Sequence, residues 1–211
     1  MAADERQRLC RGAAELGIEL SPAQQEALLH YLALLVKWNR VYALISRRDG
    51  DDWLARHLLD SLAVLPYING SRVIDVGSGA GLPGIPLAIM RPALAFTLLD
   101  SNRKKARFMT QAAIELGLKN VTVVDQRAEA YRPPRGFDCV ISRAFATVAD
   151  MLDKAGHLAA PGGRFLAMKG LFPAQELAQL PPGYHSECVH ALTVPYETGE
   201  RHLAVVARNT E

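Results

Sequence analysis

The chain has only three cysteines in 211 residues, Cys10, Cys139 and Cys188, widely spaced and odd in number. Without a C-x-x-C pair they can build neither a disulfide framework nor a sulfur-rich zinc site, so no metal is expected and a reducing cytoplasm is the expected location. Aromatic residues are scarce as well, at 7%, and few stand among basic residues, so no stacking platform for single-stranded RNA is visible. No charge of one sign dominates. The 24 Lys and Arg stand against 22 Asp and Glu, for a formal charge of +2, which excludes a strongly basic nucleic-acid coat but permits a local basic face. No apolar run nears the ~18 residues of a membrane-spanning helix. The opening Met1-Ala2-Ala3-Asp4-Glu5-Arg6 lacks the basic-then-apolar order of a secretory signal. Internal repeats and low-complexity stretches are also absent. What is present, 49% hydrophobic and 22% charged residues, is the composition of a soluble globular protein, and nothing in it demands more than a monomer.

Residues 1–66 read as a helical extension packed on a core that spans residues 67–211. Ser21-Pro22-Ala23-Gln24 supplies an N-cap, a proline at the first helical position and a capping glutamine. Leu28, Leu29, Leu32, Leu35, Val36 and Asn39 then recur at helical spacing, with Trp38 and Tyr42 widening the stripe. A second helix is predicted from Asp51 or Asp52 through Leu65, stopped by Pro66. From Arg72 the rhythm changes to short apolar runs separated by helical lengths: Arg72 to Val76, Phe96 to Leu99, Val121 to Val124, Phe137 to Ser142 and Arg164 to Met168. This alternation predicts an α/β fold, a mainly parallel sheet with crossover helices on both faces. Two further strands, about Cys188 to Val194 and His202 to Ala207, are joined by a link too short for a crossover. The sheet should therefore have seven strands and end in an antiparallel hairpin.

The first strand runs into Asp75-Val76-Gly77-Ser78-Gly79-Ala80-Gly81-Leu82-Pro83-Gly84 and then a helix, placing a glycine-rich turn at the carboxyl edge of the sheet, where nucleotide ligands bind. A dinucleotide fingerprint needs its third glycine where Leu82 stands. Gly77, Gly79 and Gly81 form G-x-G-x-G instead, which suits a nucleoside cofactor without a pyrophosphate, such as S-adenosylmethionine. Asp100, closing the second strand, is placed to accept hydrogen bonds from ribose hydroxyls, and Ala128 and Glu129, after the third strand, lie where adenine contacts are usual. Arg143 and Lys169 sit at carboxyl ends of parallel strands beside the expected crevice, positions that are often functional. Arg127 and Arg201 can join them in holding a phosphate or a polar ring edge. Arg103, Lys104, Lys105 and Arg107 crowd the start of a helix. Cations there oppose the helix dipole, so phosphate binding accounts for them better than local stability.

Asp75 to Gly84, Ser142-Arg143-Ala144-Phe145, His57-Leu58-Leu59-Asp60-Ser61-Leu62 and Gly199-Glu200-Arg201-His202 together resemble the bacterial ribosomal RNA small-subunit methyltransferase G family, also called glucose-inhibited division protein B. The resemblance covers nearly the whole chain, and its G-L-P-G-I-P and S-R-A-F runs are more restrictive than G-x-G-x-G. It implies a Rossmann-like class I methyltransferase fold, S-adenosylmethionine as donor, and methylation of N7 of one guanine in a loop of 16S ribosomal RNA near the decoding centre, within the small ribosomal subunit. Carried over by position, cofactor contacts fall on Gly77, Leu82, Ala128, Glu129 and Arg143. The family's Asn-Leu-Thr run after K-W-N is replaced by Ala43-Leu44-Ile45, so no polar role is carried over there.

Guanine N7 holds an in-plane lone pair, so methylating it needs no general base, only alignment and exclusion of water. The fourth strand accordingly ends in S-R-A-F and lacks the Pro-Pro-aromatic run of exocyclic-amine methyltransferases. Cys139, inside a predicted strand, reads as core filler rather than a nucleophile. His57 reads at least as well as a packing residue, and Asp60 as the partner of a neighbour on its own helix. Because the cofactor half does not specify the acceptor, a methyltransferase of small molecules or proteins, or a non-catalytic nucleotide-binding module, remains the alternative.

Overall fold

The computed structural model describes residues 2–45 and 52–209. Helices α1 (Ala2–Glu15) and α2 (Pro22–Tyr42) open the chain. The α2 start follows from its capping box: Ser21 Oγ accepts from the Gln24 amide, and Gln24 Oε1 accepts from the Ser21 amide at 2.9 Å. Its buried face is Leu28, Tyr31, Leu32, Leu34 and Leu35. That face is turned slightly from the predicted stripe, because Leu29, Val36 and Asn39 are only partly covered.

The next element departs from the expected continuous helix. Leu54–Leu59 is a π-helical segment that passes into a short α3 (Asp60–Leu62). The Asp60 amide reaches back five residues to the Ala55 carbonyl, and a widened turn of this kind redirects the side chains that follow it. Pro66 does not stop a helix here. It lies inside a 3-10 turn, Leu65–Tyr67, near whose start a missing N–H costs nothing. The alternative start at Asp51 lies outside the described residues; Asp52 Oδ1 accepts from the Ala55 amide at 3.2 Å.

The core is β1 (Arg72–Val76), α4 (Gly84–Met90), β2 (Ala95–Leu99), α5 (Arg103–Glu115), β3 (Val121–Val124), β4 (Phe137–Ser142), α6 (Val148–Ala155), β5 (Ala159–Lys169), α7 (Ala174–Ala178), β6 (Tyr184–Ala191) and β7 (His202–Arg208). The strand order is β3-β2-β1-β4-β5-β7-β6. The first five strands are parallel, and β7 lies antiparallel between β5 and β6. This is the class I methyltransferase arrangement. Strand β6 begins four residues earlier than expected, and its pairing with β7 is irregular between Ser186 and Cys188.

Strand alternation sorts the sheet into two buried faces. Ile74, Val76, Val140 and Phe165 pack with α6 residues Val148, Met151 and Leu152. On the other face Val73, Ile141, Leu166 and Leu203 meet Leu87 of α4 and Val64, Leu65 and Ile68 of the N-terminal segment. Leu28, Leu35, Leu58 and Leu59 share a further cluster with Ile85 and Phe108. The N-terminal helices thus cover one face of the sheet, and Asp60 is carried to its carboxyl edge. Cys139 is fully buried and burial pushes its thiol up to about 12, consistent with core packing. Among the described residues no helix is long and apolar enough to cross a membrane.

Candidate active site

The glycine loop is held from behind. The amides of Gly77 and Ser78 donate to the Leu99 carbonyl (2.8 and 3.1 Å), and the Tyr31 hydroxyl, on α2, donates to the Ala80 carbonyl at 2.6 Å. Gly77 has φ +70°, and a Cβ on it would stand 2.6 Å from the Ala144 side chain. At Gly79, φ +60°, the nearest side-chain atom to such a Cβ is Lys105 Nζ at 3.8 Å, so no side chain crowds the loop there. Asp75 is fully buried. Its Oδ2 accepts from the Gly84 amide at 2.9 Å, while Oδ1 has no partner among the described residues. Burial pushes this carboxyl up to about 7.

In front of the loop lies a crevice of about 350 Å³ lined by Gly77, Asp100, Lys105, Arg127, Ala128, Glu129 and Phe145, among others, within the usual size range of small-molecule sites. Four residues expected to touch cofactor, Gly77, Asp100, Ala128 and Glu129, line it together. Gly79, Gly81, Leu82 and Arg143 do not: Gly81 and Leu82 are buried behind the loop, where a Cβ on Gly81 would meet Ile85, and Arg143 lines a separate cavity. Asp100 Oδ2 accepts from the Gly79 amide and Oδ1 from the Asn102 amide, each at 2.8 Å. Every carboxylate oxygen can accept a second bond, so Asp100 can brace the loop and still receive ribose hydroxyls. With Glu129 as a second acceptor and glycine backbone on the floor, the crevice fits the adenosine and amino-acid ends of S-adenosylmethionine.

A second cavity, about 320 Å³, opens on the other side of the β4 end, lined by Asp60, Arg143, Met168, Lys169, Leu192, Arg201 and His202. The S-R-A-F turn separates the two. Ser142 Oγ donates to the Val76 carbonyl (2.7 Å) and accepts from the Ala144 amide (3.1 Å). This sends Phe145 to the crevice and the Arg143 guanidinium to the cavity. There Arg143 meets Asp60 Oδ2 and Arg201 meets Asp60 Oδ1, both at 3.1 Å. Asp60 thus pairs with residues 83 and 141 positions away, not with a neighbour on its helix. Glu197 extends the network by accepting from Arg56 at 2.9 Å and approaching Arg201 at 3.6 Å; no local sequence signal marks it. Lys169 is tied to Glu176 (3.0 Å) and donates to the Ala146 carbonyl (2.6 Å), so it braces α7 and the S-R-A-F turn. Arg127 lies apart from this group, exposed on the crevice side.

The basic cluster flanks the crevice. Asn102 Oδ1 caps α5 by accepting from the amides of Lys104 and Lys105, which offsets the unfavourable placement of cations at the helix start. Lys105 turns into the crevice, whereas Arg103, Lys104 and Arg107 are exposed. Arg103 and Arg107 also line a groove with Trp38, a pairing of aromatic and basic residues that the linear sequence hides.

His57 lies under this edge, 3% exposed, with neither ring nitrogen partnered among the described residues. Desolvation, and then the Arg143 charge, push its pKa down to about 4. Above pH ~6.5 the ring is neutral in both folded and unfolded chains, so protonation adds no penalty. As pH falls below that value the unfolded state takes up the proton first, so the contribution to stability is lost between about 6.5 and 4. His57→Phe, which keeps a ring against Trp53, should flatten that part of the stability curve. Urea unfolding at a series of pH values checks this, and an unchanged slope would refute it.

The family model for rRNA small subunit methyltransferase G matches residues 24–204. The chain is 54% identical over 202 residues to "Ribosomal RNA small subunit methyltransferase G" of Pseudomonas syringae pv. syringae, covering 96% of this chain and 94% of that one. It is also 54% identical over 204 residues to the protein of that name from Aromatoleum aromaticum, covering 94% and 97%. Among solved structures, TrmN from Thermus thermophilus superposes with a TM-score of 0.59 at 20% identity, covering 74% of this chain and 53% of that one. The tRNA (m1A58) methyltransferase TrmI from Aquifex aeolicus gives 0.56 at 13% identity, covering 72% and 69%. At such identities these two speak for the fold alone, but the family match and the near-full-length relatives go further: the chain belongs to the rRNA small subunit methyltransferase G family.

Proposed function

We propose that this protein is an S-adenosylmethionine-dependent methyltransferase acting on N7 of one guanine in a loop of 16S ribosomal RNA, near the decoding centre of the small ribosomal subunit, and that it works in the cytoplasm as a monomer. The observation that carries this reading is the pair of cavities flanking Arg143 to Phe145, one suited to a nucleoside cofactor and one walled by cations. When bound, the cofactor supplies a methyl group on a sulfonium, an electrophile that a lone pair can attack. Guanine N7 has such a lone pair and no proton to lose, so the protein's task is alignment in a water-poor site. The groups at hand suit that task. His57 is neutral and enclosed, Asp60 holds two guanidiniums in place, and Arg143 and Arg201 can donate to guanine O6 or to phosphate. Gly77, Asp100, Ala128 and Glu129 hold the cofactor, with Gly79, Gly81 and Leu82 shaping the loop behind them. The N-terminal segment, residues 1–66, acts as a cap that delivers Asp60 to the 67–211 core.

Methyl transfer from labelled cofactor to purified small subunits and to naked 16S RNA, with mapping of the modified nucleotide in RNA from cells with and without the gene, tests the proposal. An N7-methylated guanine that disappears with the gene is the expected result; an unchanged N7 pattern overturns it. Arg103, Lys104, Lys105 and Arg107 are proposed to grip RNA phosphates, since the target must lie in an opened segment whose backbone passes nearby. Lys104→Ala combined with Lys105→Ala should weaken RNA binding and reduce the slope of log affinity against log salt by roughly 0.7 to 0.9 per lost contact. The same slope in variant and parent would return these residues to a solvated face.

A further inference from the structure

We infer that Phe172 is the stacking wall against which the acceptor nucleobase lies when it enters the cavity between Asp60, Arg143 and Arg201; the inference rests on the rRNA reading above and names the residue that holds the base. Phe172 is 56% exposed and its neighbour Leu171 is 74% exposed. Large apolar side chains left in water this way contribute little to folding. Both follow directly on Lys169 and Gly170, two residues that line the cavity, at the carboxyl end of β5. The Phe172 ring packs edge-to-face with His202, centroids 5.5 Å apart at 80°. His202 also lines the cavity, and its buried Nδ1 has no partner among the described residues. That contact orients the phenyl ring while leaving more than half of its surface free for a ligand.

The chemistry of the cavity matches a purine. An aromatic face beside it suits a flat heterocycle, whereas an aliphatic or peptide acceptor would need no such surface. Arg143 and Arg201 supply donors for O6. Each oxygen of Asp60 takes one guanidinium and keeps a lone pair for ring or exocyclic N–H. None of these groups is needed at N7, which must stay unbonded to react. Phe172 stands outside the residues that line the cavity and reaches it through His202; the cavity adjoins the cofactor crevice across the S-R-A-F turn, so a base steered in by Phe172 approaches the methyl donor's site.

The test is methyl transfer to small ribosomal subunits isolated from cells lacking the gene. Phe172→Ala should lower kcat/KM by about ten- to a hundredfold, in keeping with the loss of one base–aromatic stack. Cofactor binding by calorimetry and Tm should stay at parent values. Phe172→Tyr and Phe172→Trp should retain transfer to within about threefold, whereas Phe172→Leu, apolar but not aromatic, should be nearly as impaired as alanine. Full activity in the leucine or the alanine variant overturns the stacking role alone, as does a parallel fall in Tm or in cofactor affinity. No transfer to 16S RNA by the parent protein overturns the rRNA reading, and this inference with it.

Discussion

Asp60→Asn is expected to lower kcat/KM for methyl transfer by about a hundredfold while leaving S-adenosylmethionine affinity within a few-fold. The Asp60 side chain is 4% exposed, and each oxygen holds one guanidinium at 3.1 Å. Asparagine preserves the shape but presents an NH2 group to one of the two arginines, donor against donor. Arg143 and Arg201 then lose their fixed orientation at the cavity, and a displacement of an ångström in a positioning group is enough for a loss of this size. Breaking a buried ion pair by removing one partner costs about 3–5 kcal/mol. The arginine side chains are 30% and 28% exposed, so water relieves part of that and about 1–3 kcal/mol is the expected cost. For a chain of this length such a change lowers Tm by roughly 3 to 10 °C. Steady-state kinetics, calorimetric titration with cofactor and a melting curve check the three parts together. Transfer at the parent rate would show that the clamp only stabilises the fold.

Gly77→Ala is expected to abolish cofactor binding, with affinity falling by more than about a hundredfold. Two penalties act at one atom. The residue has φ +70°, a left-handed conformation that costs an L-residue roughly 1–2 kcal/mol, and the new Cβ would stand 2.6 Å from the Ala144 side chain. Relief requires the glycine loop or the S-R-A-F turn to move, and both border the crevice. Gly117→Ala is the control. It shares a positive φ of +65°, but its added Cβ would meet nothing within 4 Å, so backbone strain is present without the clash and binding should persist. Equal loss in both variants, measured by calorimetry, would mean that strain and not the shape of the crevice decides binding.

The two variants fall on opposite sides of what sequence reasoning could reach. Gly77 belongs to a contiguous run whose glycines, preceding acid and following helix advertise a ligand loop, and Asp100 closes the neighbouring strand. Both line the crevice, because a βαβ unit brings the ends of adjacent parallel strands together by its own handedness. Strands β1, β3 and β4 also begin and end where their apolar runs do, since buried strands write their period into few residues. Asp60 was readable only as a helical acid. Its partners stand just past the end of β4 and just before β7, and which residue stands opposite depends on the widened turn Leu54–Leu59 and on the register that sets His202 against Lys169. Neither has a local signature. The same holds for Glu197, for the Lys169–Glu176 pair and for Trp38 beside Arg103 and Arg107.

By itself, then, the sequence determined the alternation of strand and helix, the glycine turn at the carboxyl edge and its acidic companion, because these follow from backbone freedom and from hydrophobic period over five to fifteen neighbouring residues. The tertiary structure alone decided which cations face the second cavity, which are tied down in ion pairs, and which exposed ring stands next to it. Those outcomes depend mostly on contacts between residues distant in the chain, up to more than a hundred positions apart, where strand register and helix packing, not local pattern, bring charges within reach of one another.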